Sequence, residues 1–123
     1  MRQGWINMTG YKRGDVVLVR YPHSDLKTFK KRPALIVQDD QIFTGLDQRI
    51  IVQITSNMSR TGHSRVPVRR TSQTGHDMGI LQDSVIMTDN IATVLPREIE
   101  KTIGKCPAMD EDDAALKTIL GLQ

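Results

Sequence analysis

At 123 residues the chain holds one domain's worth of hydrophobic core. Hydrophobic residues at 38% and charged residues at 25% exclude a disordered chain, and no apolar run approaches the roughly 18 residues a membrane span needs. Charge is uneven: residues 1–76 hold 13 Lys and Arg against 5 Asp and Glu, and residues 77–123 hold 4 against 9. That distribution suggests a polyanion-facing surface on the first part, although the two parts can also interleave in space. The single Cys106 excludes an internal disulfide and a several-cysteine zinc site, and it suits a reducing cytoplasm.

Residues 1–11 show no periodicity and read as a flexible arm before one domain over 12–123. A β-branched run at 16–21, ended by Pro22, predicts the first strand. The basic stretch 23–31 reads as a loop, with Pro33 opening a second strand over 34–38. Residues 50–54 form the third, closed by the small polar residues Thr55, Ser56 and Asn57. A short edge strand at 66–69, a loop at 72–78, and two strands at 84–87 and 91–95 follow, the last two joined tightly by Thr88-Asp89-Asn90. Four acidic residues from Asp110 precede helical spacing at Ala114, Ala115, Leu116, Ile119 and Leu120, with Asp110 the expected N-cap and Gly121 the stop. Six short strands and one C-terminal helix predict a mainly β domain, a small curled antiparallel barrel or sandwich. The Leu120-Gly121-Leu122 tail reads as core packing.

Phosphate loops, HExxH and GxSxG are absent from the sequence. His23, His63 and His76 are spread over three predicted loops with no ligand spacing, so neither a metal site nor a cofactor is expected. Arg32 sits where a strand can hold its guanidinium rigidly, and a planar fork of donors suits phosphate; from position alone, an ordinary surface arginine flanking a strand is the commoner role. Thr55 either faces the same rim or caps its own turn. Lys27, Phe29, Lys30 and Lys31 set one aromatic among cations, which fits a nucleic-acid strand or a solvated loop, and Arg60, Arg65, Arg69 and Arg70 extend the basic surface.

Three segments, Arg13-Gly14-Asp15-Val16-Val17-Leu18-Val19, Arg32-Pro33-Ala34-Leu35-Ile36-Val37 and Gln53-Ile54-Thr55-Ser56, resemble the MazF/PemK toxins of type II toxin–antitoxin pairs. Gly79-Ile80-Leu81, Asp83-Ser84-Val85, Ile91-Ala92-Thr93-Val94 and Ile103-Gly104-Lys105 are similar in order and spacing, so the resemblance covers about 12–122. It implies an SH3-like curled β-barrel with a C-terminal helix, usually a homodimer in the cytoplasm. The implied activity is a metal-independent endoribonuclease that cleaves single-stranded RNA at short sequences, inhibits translation and growth, and leaves 2′,3′-cyclic phosphate and 5′-hydroxyl ends. The family's catalytic pair matches Arg32 and Thr55, and a first-loop histidine that some members carry matches His23. Lys27, Phe29, Lys30, Lys31, Ser56, Asn57, Arg60 and Arg65 are then the expected RNA-binding residues. A cognate antitoxin with an acidic segment over the basic groove is the expected protein partner. The first loop departs from the Gly- and Glu/Gln-containing version of many members, so RNA sequence preference does not transfer. The rival readings are a non-catalytic RNA-binding barrel and a gyrase poison like CcdB.

Overall fold

The computed structural model describes residues 10–22, 25 and 27–122. Six strands make one sheet: β1 (Asp15–Pro22), β2 (Phe29–Ile36), β3 (Arg49–Thr55), β4 (Arg65–Val68), β5 (Ser84–Val94) and β6 (Ile99–Lys105). A short helix α1 (Gln73–Met78) lies between β4 and β5, and α2 (Asp110–Leu120) follows β6. All pairings are antiparallel and the order is β4-β5-β3-β2-β1-β6.

Near-continuous apolar runs in β1, β2 and β3 mean that both faces of the sheet's centre are buried. Val16, Leu35, Val52 and Ile54 face one core with Val66, Val68, Met78 and Ile86, which Ala115 of α2 helps to cover. Their neighbours along each strand, Val17, Val19, Ala34, Ile36 and Ile51, face a second core with Val94 and Ile99, against which Tyr11 and Tyr21 pack. Each fully buried Val, Leu or Ile contributes roughly 1.5–3 kcal/mol. Arg13 ties α2 to the start of β1 by bonding the Asp113 carboxylate and the Val37 carbonyl.

The expected curled SH3-like barrel is not formed. β4 and β6 end the strand order without pairing to each other, so the sheet is open. A four-residue β4 carrying Pro67 offers few donors for closure. Instead the end of α1 abuts β6: a Cβ at Gly79 would lie 2.0 Å from the Ile103 carbonyl oxygen, and one at Gly104 2.3 Å from the Met78 carbonyl carbon.

Other differences have local causes. β2 begins at Phe29, so Phe29, Lys30 and Lys31, expected in a loop, pair with Pro22, Tyr21 and Arg20 on a hairpin. Pro33 therefore lies inside a strand. Because β3 pairs with β2 only over Ala34–Ile36, the missing donor falls beyond that ladder. The two strands expected at 84–87 and 91–95 are one, with Thr88, Asp89 and Asn90 bulged out: Gln53 pairs with Met87 and Val52 with Ile91. The α1 segment has no apolar period and carries Gly75; it holds together because the Ser72 hydroxyl accepts the Gly75 N–H and Gly79 ends the helix at φ 73°. β6 escapes a pattern-based reading because register shifts at two places break its alternation. On α2 the N-cap is Met109 and Asp110 is the first helical residue, while Gly121 closes the helix as expected, with Leu122 N–H returning to the Lys117 carbonyl. Ile119, Leu120 and Leu122 are exposed, so the tail does not pack in the core. No helix among the described residues is long and apolar enough to cross a membrane.

Candidate functional site

The register of the sheet sets one row of side chains on one face: Ala34 of β2 opposite Gln53 of β3, Gln53 opposite Met87 of β5, and Met87 opposite Arg65 of β4. Two residues toward the sheet's end, the same alternation carries Arg32 to the level of Thr55 on that face. A cavity of about 630 Å3 opens there, lined by Arg32, Gln53, Thr55, Met87 and Arg65. Ser56, Asn57 and Arg60, from the turn after β3, and Asp89 and Asn90, from the β5 bulge, complete its wall.

The turn after β3 is built by side-chain caps. The Thr55 hydroxyl accepts the Asn57 N–H at 3.1 Å, and the Asn57 carboxamide accepts from the Ser59 N–H at 3.1 Å and the Ser59 hydroxyl at 2.6 Å. Thr55 thus caps its turn and lines the cavity at once, with its own proton available to an acceptor there. The β5 bulge is anchored by Thr88, fully buried, whose hydroxyl and N–H both donate to the Ser64 carbonyl. Anchoring Thr88 turns Asp89 outward to Arg65, which grips both carboxylate oxygens, Nε to Oδ1 at 2.8 Å and Nη2 to Oδ2 at 2.6 Å. That grip holds the Asp89 carboxyl below its usual range and raises the Arg65 guanidinium. Among the described residues Arg32 makes no ion pair, so the cavity contains a guanidinium without a protein carboxylate.

Six of the residues expected from the sequence, Arg32, Thr55, Ser56, Asn57, Arg60 and Arg65, meet in this cavity. Phe29, Lys30 and Lys31 stand exposed at the neighbouring end of the β1–β2 hairpin, and Lys27 is exposed just before it, held by its N–H to the Asp25 carboxylate. His23 lies outside the described residues. Gln53, Met87, Asp89 and Asn90 were not expected; the only sequence signal for the last two is a polar Thr-Asp-Asn break in an apolar strand. Among the described residues no three His, Cys, Asp or Glu side chains come together as a metal site.

Arg32 also borders a second cavity of about 750 Å3, on the sheet's other face. Leu18, Pro33, Ile54 and Leu81 give it apolar walls, Lys31 and Lys101 its charge, and Leu81 is 88% exposed. Glu100 bonds both Lys31 and Arg20 and is held below its usual carboxyl range by them.

An open antiparallel β-sheet with a C-terminal helix thus carries, at one end, a cavity lined by arginines and amides. Residues 12–120 match the family described as the PemK-like, MazF-like toxin of type II toxin–antitoxin systems, and the chain belongs to that family. Among solved structures it is similar to an endoribonuclease in complex with its cognate antitoxin from a Mycobacterial species, at 25% identity and a TM-score of 0.70, covering 92% of this chain and 97% of that one. A second Mycobacterial endoribonuclease shares 28% identity at a TM-score of 0.66, with 91% and 92% covered. The MazE–MazF structure of Deinococcus radiodurans, at 16% identity and a TM-score of 0.66 over 92% and 97%, shares the fold.

Proposed function

We propose that this toxin is an endoribonuclease that cuts single-stranded RNA in the Arg32–Thr55 cavity without a metal ion. The observation that carries this reading is a guanidinium, that of Arg32, with no ion pair among the described residues, on a strand whose cavity it shares with Thr55, amides and further arginines. When a ribose 2′-hydroxyl attacks the adjacent phosphate, negative charge grows on the non-bridging oxygens. A fixed Arg32 there stabilises the transition state by about 3–4 kcal/mol, and Thr55 donates to the same phosphate. The 2′-oxygen forms the new P–O bond, the 5′-oxygen leaves with a proton, and the products are a 2′,3′-cyclic phosphate and a 5′-hydroxyl. Asp89, gripped by Arg65 and held ionised, is a weak base whose part is to fix Arg65 for a neighbouring phosphate. His23, two residues along the chain from Tyr21, is the group of this reading that carries protons near neutral pH.

Lys27, Phe29, Lys30 and Lys31 extend the path for the strand, with Phe29, 58% exposed, offering a ring for base stacking. The cavity of the other face suits an antitoxin segment with carboxylates for Lys31 and Lys101 and an apolar side chain for Leu81. The uncovered Ile119, Leu120 and Leu122 are the kind of surface that a second copy covers in a homodimer, and the cytoplasm is the compartment where such a toxin meets its RNA.

Incubating the purified protein with a long single-stranded RNA in EDTA, and mapping fragment ends, tests the reading. Discrete cuts with cyclic-phosphate ends are expected. Intact RNA that still shifts on a gel would show a binding domain, and intact RNA without a shift would move the target away from RNA.

A further inference from the structure

The Tyr21 hydroxyl is a buried polar atom with no hydrogen-bond partner. Such an orphan is costly, and proteins keep few of them. Asp112 Oδ1 is the other among the described residues, and it lies at the start of α2 near Cys106, away from the cavity. Tyr21 lies next to the proposed site. β1 pairs Val19 with Arg32 and Tyr21 with Lys30, so Tyr21 and Arg32 are diagonal neighbours on one face, and Thr55 follows on the next strand. Burial pushes the phenol's pKa up, while the positive charge of its diagonal neighbour Arg32 pulls it back down. Glu98 is the carboxylate whose charge also reaches the phenol, yet its Oε1 already accepts the Leu95 N–H at 2.7 Å. The phenol is left with an unused lone pair and an unused proton, on the sheet face that carries Arg32 one diagonal step away.

We propose that Tyr21 is a positioning residue for Arg32: its phenolic oxygen accepts an Arg32 N–H when RNA is bound, fixing the guanidinium so that its remaining donors meet the scissile phosphate. The proposal rests on the ribonuclease reading above. In the free protein the phenol waits without a partner, and the cost of that wait is recovered when the substrate phosphate orders the arginine. Arg32 is half-buried between two cavities, and a long side chain in that position needs a second anchor to present its fork at a fixed angle.

The test is Tyr21→Phe, measured in RNA cleavage and thermal unfolding, alone and combined with Arg32→Lys. Removing an orphan hydroxyl leaves the Tm unchanged or raises it. The proposal expects kcat to fall at least tenfold, with KM within about twofold of the unaltered chain. It also expects Tyr21→Phe to cost less than twofold in the Arg32→Lys background, because the hydroxyl acts only through the guanidinium. Unchanged kcat in Tyr21→Phe, or equal losses in both backgrounds, would overturn the positioning role while leaving the ribonuclease reading intact. Failure of the unaltered chain to cleave RNA would overturn both.

Discussion

Arg65 and Asp89 meet through two parallel hydrogen bonds, 2.8 and 2.6 Å long, although one belongs to an edge strand and the other to a bulge 24 residues further on. The pair lines the same cavity as Arg32, which has no such partner among the described residues. Arg65 is therefore held by the protein, whereas Arg32 and Arg60 make no ion pair among the described residues. That division separates the expected consequences of substitution.

On the proposed reading, Arg32→Ala removes the charge that the developing phosphorane needs, without breaking an ion pair among the described residues. Cleavage should fall by about 100- to 1,000-fold, with the Tm within about 2 °C of the unaltered chain. Thr55→Val should cost less, about tenfold, since the turn loses one acceptor and the phosphate loses one neutral donor. Single-turnover cleavage and a thermal melt on each variant check both.

Asp89→Asn breaks the two-bond grip and frees Arg65. For a partly exposed pair the stability cost should be about 1 kcal/mol or less, and cleavage should drop about tenfold as Arg65 loses its fixed direction. Because the folded pKa of Asp89 lies below its ordinary 3.8, the pair's contribution is complete above that value and is lost as the pH falls through the lower folded one. Denaturant unfolding across a pH series should show the variant's deficit in full at pH 7 and shrinking as the pH falls below the ordinary 3.8.

Asp112 has the opposite sign. It is 2% exposed, with one oxygen unpartnered and the other accepting from the Cys106 thiol, and burial raises its pKa to about 6. The folded state then holds the proton more tightly than the unfolded chain. Stability from this group is full below about pH 4 and is lost as the pH rises to about 6. Asp112→Asn should therefore raise the Tm at pH 7.5, by an amount equivalent to about 2–3 kcal/mol at most, and should give no gain near pH 4. A set of melts from pH 4 to pH 8 checks the crossing.

Gly79 and Gly121 both sit at positive φ, 73° and 70°, yet they should answer differently to alanine. At Gly121 nothing lies within 4 Å of the added Cβ, so only the left-handed conformation is penalised, about 1–2 kcal/mol. At Gly79 the Cβ meets the Ile103 carbonyl oxygen at 2.0 Å, so α1 must leave β6. Gly79→Ala should be much the more destabilising, by about 4 kcal/mol or more, as read by denaturant unfolding of the two variants.

The central strands were legible because their residues announce burial on two faces: Val16, Val17, Leu35, Ile36, Ile51 and Val52 admit no other placement. β6 and α1 were not, since each is held by a neighbour rather than by its own periodicity, β6 by β1 through two register shifts and α1 by the glycine contacts at 79 and 104. For the same reason, whether the sheet closes was not readable: it depends on what stands against β6, which no local pattern records. In the site, Arg32 and Thr55 were reachable from strand ends and family resemblance. Asp89 was not, because a bulge of three residues inside a paired strand looks in sequence like a turn between two. The Tyr21 hydroxyl was invisible, since an orphaned atom is a property of packing alone.

The bulge in β5 separates two kinds of inheritance. On either side of it the strand is bound to β3 by its ladder and to the cores by buried side chains, and Thr88 pins the loop-out to Ser64. Asp89 and Asn90 answer to neither constraint: both are exposed and both face the cavity. Substitutions at these two positions can remodel what the cavity accepts without shifting a strand or opening a void.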